Sequence, residues 1–166
     1  MKLKIDELEF NSDYFYLQTN SIVEKTTFNN RTFYSKLKKY PMPIDPTLLQ
    51  QHHQAEISLS IPLIENESVN YIVIEYREED WNAFYALLKH LLKSLHIEHF
   101  KAYKNEKKNL FQLFIPQKSI ALNLAYKKVE NIKYLLDFKS KKSYKIYPNK
   151  NLPINFNIIS LPTQKV

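Results

Sequence analysis

Glu75 is the one carboxylate in a continuous apolar run, YIVIEY (71–76). Two aromatic-rich runs, HFKAYK (99–104) and LFQLFIP (110–116), flank a turn with Lys107 and Lys108, and Lys104 closes the first run. An amphipathic helical pattern separates the first run from the other two. The predicted order is therefore strand, helix, strand, strand, and it places the lysine turn opposite the end of the first strand. Cations gathered at a strand end suit the phosphates of a nucleotide or nucleic acid. Metal-dependent catalysis needs more acid than that one strand supplies.

The elements that must position these residues follow from pattern. Trp81, Phe84, Tyr85, Leu88, Leu91, Leu92 and Leu95 recur with helical spacing and predict a helix from Glu79 to about Leu95. Glu78, Glu79 and Asp80 stand at its start, where the helix dipole favours negative charge. HFKAYK and LFQLFIP form a hairpin around Asn105–Asn109. A second helix is expected over Ser119–Leu136, with Ile120, Leu124, Val129, Ile132 and Leu136 near one face. SYKIYP and INFNIISLP then supply one or two strands that finish the sheet.

Upstream, SIVEKTTF and RTFYSKL flank Asn29-Asn30, a pair that tolerates the left-handed geometry of a two-residue hairpin turn. Pro41, Pro43 and Pro46 make 40–46 a connection, and Asp45-Pro46 caps a short helix reaching Gln54. EISLSIPLI reads as a strand, with Pro62 at its edge or end, and ENES as a turn. The expected class is α+β: a mostly antiparallel sheet with packed helices, in one domain spanning 1–166. Residues 1–55 form its N-terminal hairpin and connector.

Composition narrows the chemistry. The chain has no cysteine, which excludes disulfides, thiolate metal sites and a cysteine nucleophile and makes the cytoplasm the expected compartment. It has no glycine, which excludes glycine-rich phosphate loops. MKLKIDELEF alternates charges without an apolar stretch, so neither a secretory signal nor a membrane span is expected. The net charge of +7 is lopsided: residues 1–100 carry 10 Lys/Arg against 14 Asp/Glu, and residues 101–166 carry 14 against 3. A one-sided basic region is the footprint of a polyanion partner, or simply lysines solvating an aromatic-rich half.

Over residues 56–162 the chain resembles the archaeo-eukaryotic primase (prim-pol) superfamily, whose strand–helix–strand–strand unit is RRM-like and is followed by a helix and an acidic strand end. That family carries an hhhDhD strand, a later [ST]xH element and a final hD element. Glu75 in YIVIEY stands where the first acidic strand would be, Gln112 in NLFQLFIP where the histidine would be, and Asp137 in YLLDF at the last acid. The sequence departs from the pattern at Tyr76 and Arg77, which add no second carboxylate, and at Lys107 and Lys108, which replace the small residues of the turn. The closing LP of NIISLP lacks the family's arginine.

The resemblance implies a nucleotide site with catalysis lost or weakened. Glu75 and Asp137 are its candidate metal ligands, holding one Mg²⁺ through a bound nucleotide. Gln112 would hydrogen-bond a phosphate, base or sugar, Lys104, Lys107 and Lys108 would supply charge from the hairpin, and Lys139, Lys141, Lys142 and Lys145 would clamp from the other side. Tyr103 and Tyr144 are the candidates for stacking bases of a single strand. Each residue also has a plainer reading: Glu75 as an ion-paired strand end, Gln112 as a solvent-facing strand residue, Asp137 as a turn cap and KSKK (139–142) as a solvated loop. His52-His53 are adjacent and poorly placed to share a metal, and His96 and His99, though near helical spacing, straddle the helix end and fit a surface or partner role better than zinc. The expected partner is a nucleoside triphosphate or single-stranded nucleic acid. The alternatives are an active metal-dependent nucleotidyltransferase and a non-enzymatic adaptor that docks an acidic protein on its basic face.

Overall fold

YIVIEY is apolar on both sides because its strand lies between two others and is buried on both faces. The computed structural model describes residues 2–140 and 143–166. It is α+β, with antiparallel sheets and α-helices packed on them, and it clusters into two compact units. The first comprises residues up to Pro62 together with Lys150–Thr163, and the second comprises Leu63–Asn149 and Gln164–Val166. Among the described residues no helix is long and apolar enough to cross a membrane.

The first unit contains β1 (Lys2–Ile5), β2 (Leu8–Asn11), β3 (Phe15–Gln18), β4 (Glu24–Phe28), β5 (Arg31–Ser35), β6 (Leu37–Tyr40), α1 (Pro46–His53) and β7 (Leu59–Pro62). β4 and β5 pair antiparallel with Phe28 opposite Arg31, and the turn residues Asn29 and Asn30 take φ of 50° and 61° as the sequence predicts. The Asp45 carboxylate accepts the Leu48 N–H at 2.8 Å, with Pro46 in the first turn of α1. His52 is buried. Its Nδ1 accepts the Leu59 N–H at 3.0 Å and its Nε2 donates to the Leu161 carbonyl at 2.9 Å, which fixes one neutral tautomer and makes the ring a structural strut.

The second unit contains β8 (Ile64–Glu65), β9 (Ser68–Tyr76), α2 (Trp81–Ser94), β10 (Lys101–Asn105), β11 (Leu110–Ala121), α3 (Leu122–Lys139) and β12 (Lys145–Tyr147). Its main sheet runs β12-β9-β11-β10, so strand–helix–strand–strand–helix–strand closes as a split βαβ unit. The tail is shared out. β13 (Ile158–Ser160) pairs with β7 in the first unit's sheet instead of finishing this one, and β14 (Gln164–Lys165) adds to β10.

Both helices cover one face of the sheet. Ile72, Ile74, Tyr76, Phe111, Leu113 and Ile146 from the strands meet Phe84, Leu88, Leu91, Leu92, Val129, Ile132 and Leu136 from the helices. Tyr76 stacks on Phe84 at 4.1 Å between ring centroids, and Trp81 on Phe111 at 5.7 Å. α3 begins at Leu122, three residues later than its periodicity predicts. Ser119, with φ of 49°, bulges β11 so that Ile120 and Ala121 resume pairing with Val69 and Ser68. The buried stripe is accordingly Leu122, Ala125, Val129, Ile132 and Leu136, and Leu124 is exposed.

Without glycine, other residues take the left-handed positions. α1 and α2 both end in Schellman motifs: Glu56 N–H bonds Gln51 O and Ile97 N–H bonds Leu92 O, with Ala55 and His96 at φ of 59° and 58°. A Cβ in that region costs ~1–2 kcal/mol, partly offset by the smaller unfolded-state entropy of a non-glycine residue. Ala55→Gly and His96→Gly should each stabilise the fold by about 0.5–1 kcal/mol in urea unfolding. A loss of stability would show that these positions are not strained.

Candidate functional site

Antiparallel pairing decides which predicted site residues meet. Glu75 lies opposite Gln112 across β9–β11 and opposite Lys145 across β9–β12, and Gln112 lies opposite Tyr103 across β10–β11. Since Ile74 and Phe111 face the helices, the alternation of a strand turns Glu75, Gln112, Tyr103 and Lys145 to the other face as one lateral row. The Gln112 Nε2 donates to Glu75 Oε2 at 3.0 Å, and both side chains are buried.

Burial pushes the Glu75 carboxyl above its ordinary range, against the opposing pull of the Gln112 hydrogen bond and of Arg77 and Lys145. The Tyr147 hydroxyl is raised by burial and by the Glu75 charge. Gln112, 2% exposed and bonded to Glu75, and Tyr103, 1% exposed, are interior residues without a surface to offer a ligand.

Asp137 sits elsewhere. It belongs to α3, on the helix side of the sheet that separates it from Glu75. Tyr144 Oη donates to Asp137 Oδ1 and Lys133 Nζ pairs with Oδ2 at 3.0 Å, and the Tyr144 bond is the main reason the carboxyl is held below its usual range. One carboxylate on each side of a sheet does not suit a shared Mg²⁺, and the described residues contain no cluster of three or more potential metal-ligating side chains. Tyr144 is likewise engaged, through Asp137 and by packing near Phe84 at 6.1 Å, so it does not present a free ring face for a base.

Cations gather at one end of the sheet, alongside the acids Glu78, Glu79, Asp80 and Glu106. The β10–β11 turn is braced by Asn105 Oδ1, which accepts the Lys108 N–H at 3.2 Å, and by Asn109, whose side-chain amide donates to the Arg77 carbonyl. Arg77 Nη1 reaches the Lys108 carbonyl at 3.5 Å. Burial lowers the Lys108 pKa, and the neighbouring Arg77 charge lowers it further. Lys145 enters this end as the cross-strand partner of Glu75, and Lys139 ends α3, whose last turn favours a cation. Lys104 is different: it is buried, bonded to Asn109 Oδ1 at 3.0 Å and placed 5.5 Å over the Trp81 ring, and burial lowers its pKa. Lys141 and Lys142 lie outside the described residues.

Arg77 is the member of this cluster that sequence reasoning undervalued, weighing it only as an ion-pair partner and a missing acid. Its signal was its position, one residue past the strand that carries Glu75 and level with the lysine turn.

Residues 1–70 match a family described as a domain of unknown function (DUF1882). No curated protein matches the chain.

The raised Glu75 pKa sets a pH dependence with a definite sign. Below the ordinary value of 4.5 the carboxyl is protonated in both folded and unfolded chains and carries no penalty. As pH rises through 4.5 the unfolded chain releases its proton while the folded chain retains it, so stability falls until the raised folded value is passed. Each unit of elevation amounts to about 1.4 kcal/mol. Glu75→Gln should therefore be more stable than the parent at pH 7, with the gap closing below pH 4.5. Urea titrations across that range measure it, and a gap that widens on acidification would contradict the assignment.

Proposed function

We propose that the second unit binds a phosphate-bearing ligand, a nucleoside triphosphate or single-stranded nucleic acid, at the sheet end where Arg77, Lys107, Lys108, Lys139 and Lys145 gather, and that it does so without nucleotidyl transfer. One observation carries the reading. Arg77, just past β9, reaches the Lys108 carbonyl of the β10–β11 turn at 3.5 Å, and its charge adds to burial in lowering the Lys108 pKa. Like charges fixed together in a partly buried setting repel, and an anion placed between them relieves that repulsion. The lopsided charge of the sequence, 14 Lys/Arg against 3 Asp/Glu in residues 101–166, favours the same class of partner.

The resemblance to prim-pol proteins supports a nucleotide as ligand through element order alone. The geometry does not favour catalysis by Glu75, Gln112 and Asp137. Glu75 and Gln112 bond to each other in the interior, and Asp137 is engaged by Lys133 and Tyr144 on the other side of the sheet. Any Mg²⁺ in the complex would thus be carried in on the phosphates.

Thermal unfolding with each ribo- and deoxynucleoside triphosphate tests this. A ligand at 100 times its Kd that binds only the folded state adds about 2.7 kcal/mol. The shift should be lost in Lys107→Ala/Lys108→Ala and retained in Asp137→Asn. Equal shifts in the parent and the double lysine variant would remove the sheet end from the site. No shift with any nucleotide or single-stranded oligonucleotide, alongside capture of an acidic protein, would favour the adaptor reading.

A further inference from the structure

Tyr134 and Phe138 are 74% and 84% exposed, among the largest apolar surfaces the fold leaves in water. They sit one helical turn apart on α3, diametrically opposite the buried stripe of Val129, Ile132 and Leu136. Most rings on the helix side of this sheet are engaged: Tyr76 on Phe84, Trp81 on Phe111, Tyr85 against Phe111 and Tyr144 beside Phe84. Among the described residues Tyr134 and Phe138 contribute to no such packing, so burial does not account for their being aromatic.

Their helix carries Lys127, Lys128, Lys133 and Lys139 against Glu130 and Asp137, an excess of cations. The same outer stripe continues through Asn131 to Lys127, with Lys128 and Lys139 to one side. Glu130 and Asp137 stand one helical turn from Tyr134 on the opposite flank, with Asp137 bonded by Lys133 and Tyr144. The stripe ends at the last turn of α3, where Phe138 adjoins Lys139.

We propose that the outer face of α3 is a base-stacking platform, and that the physiological ligand of the second unit is single-stranded nucleic acid rather than a free nucleotide. The proposal rests on the phosphate-binding reading of the sheet end and names its ligand class. Exposed rings flanked by lysines are the combination that single strands use: phosphates track the cations while bases of any sequence lie on the rings. The two rings are about 6 Å apart along the helix, nearly twice the ~3.4 Å spacing of nucleotides along one strand. From Phe138 to Lys127 is about 16 Å, room for roughly five nucleotides, within the range of known single-strand sites. The sheet face opposite the helices does not serve instead, since Tyr103, Phe114 and Gln112 on it are buried.

The test is fluorescence anisotropy of a labelled oligodeoxynucleotide of about 12 residues, with the parent, Tyr134→Leu/Phe138→Leu, Tyr134→Trp/Phe138→Trp and Lys107→Ala/Lys108→Ala. Both aromatic sites are exposed, so the fold should tolerate all substitutions there, and thermal melts verify it. The leucine pair should weaken binding roughly 5- to 100-fold per ring while leaving any nucleoside triphosphate shift intact. The tryptophan pair should bind as the parent does, with its added emission quenched by the oligonucleotide. Parent-like oligonucleotide binding by the leucine pair would overturn the platform, as would a parent that binds triphosphates and no oligonucleotide. In either case the sheet-end site stands if the lysine variant still loses its ligand, and falls with the platform if it does not.

Discussion

The antiparallel ladder between β9 and β11 is the constraint on which the second unit depends. Its register sets Ile72 and Ile74 with Phe111, Leu113 and Ile115 against the two helices, and sets Glu75 against Gln112 on the other face. A slip of one residue would exchange the faces, putting a carboxylate and an amide into the helix-facing core. The buried Glu75–Gln112 bond opposes that slip, because each group left unpaired in the interior would cost ~1–3 kcal/mol or more. A polar pair in an otherwise apolar strand thus specifies register, although desolvation penalises the charged acid.

That ladder also delivers the cations. Strand β9 ends at Tyr76, and β10 and β11 are joined at the same end, so Arg77 and the lysine turn are adjacent because the register makes them so. Asparagine does part of the local work that glycine does in most proteins: Asn29, Asn30, Asn66 and Asn109 take positive φ, as do Asp6, Ala55, Glu67, His96 and Ser119. Asn109 does more, since its side chain bonds both Arg77 and Lys104 and so couples the turn to the strand end. Lys104, drawn inward over Trp81, contributes to that bracing, whereas Lys108 stays closer to solvent with Arg77 as its like-charged neighbour.

Local patterns were legible in the sequence and pairing partners were not. The seven-residue apolar spacing of α2, the Asn29-Asn30 turn and the Asp45 cap each depend on a few neighbouring residues, and each appears where the sequence puts it. The start of α3 moved because a long-range pairing, Ile120 with Val69, competes with helix extension and prevails. Ile158–Ser160 reads as a strand from its own residues, but nothing local says that its partner is β7. The same limit governs the site. Alternation along LFQLFIP gave Gln112 a face, yet only the fold reveals that this face is interior and that Glu75 is its partner. Tyr134 and Phe138 lie opposite the helix's apolar stripe, and that mismatch between residue type and position was the available signal.

The most direct measurement is amide chemical-shift mapping on ¹⁵N-labelled protein, titrated with a single-stranded oligonucleotide at two salt concentrations. The proposed site predicts saturable shifts at Arg77, Asn105–Asn109, Lys139 and Lys145, extending along α3 through Phe138 and Tyr134 and weakening as salt rises. Saturable shifts confined to other surfaces, with these residues unmoved, would contradict it.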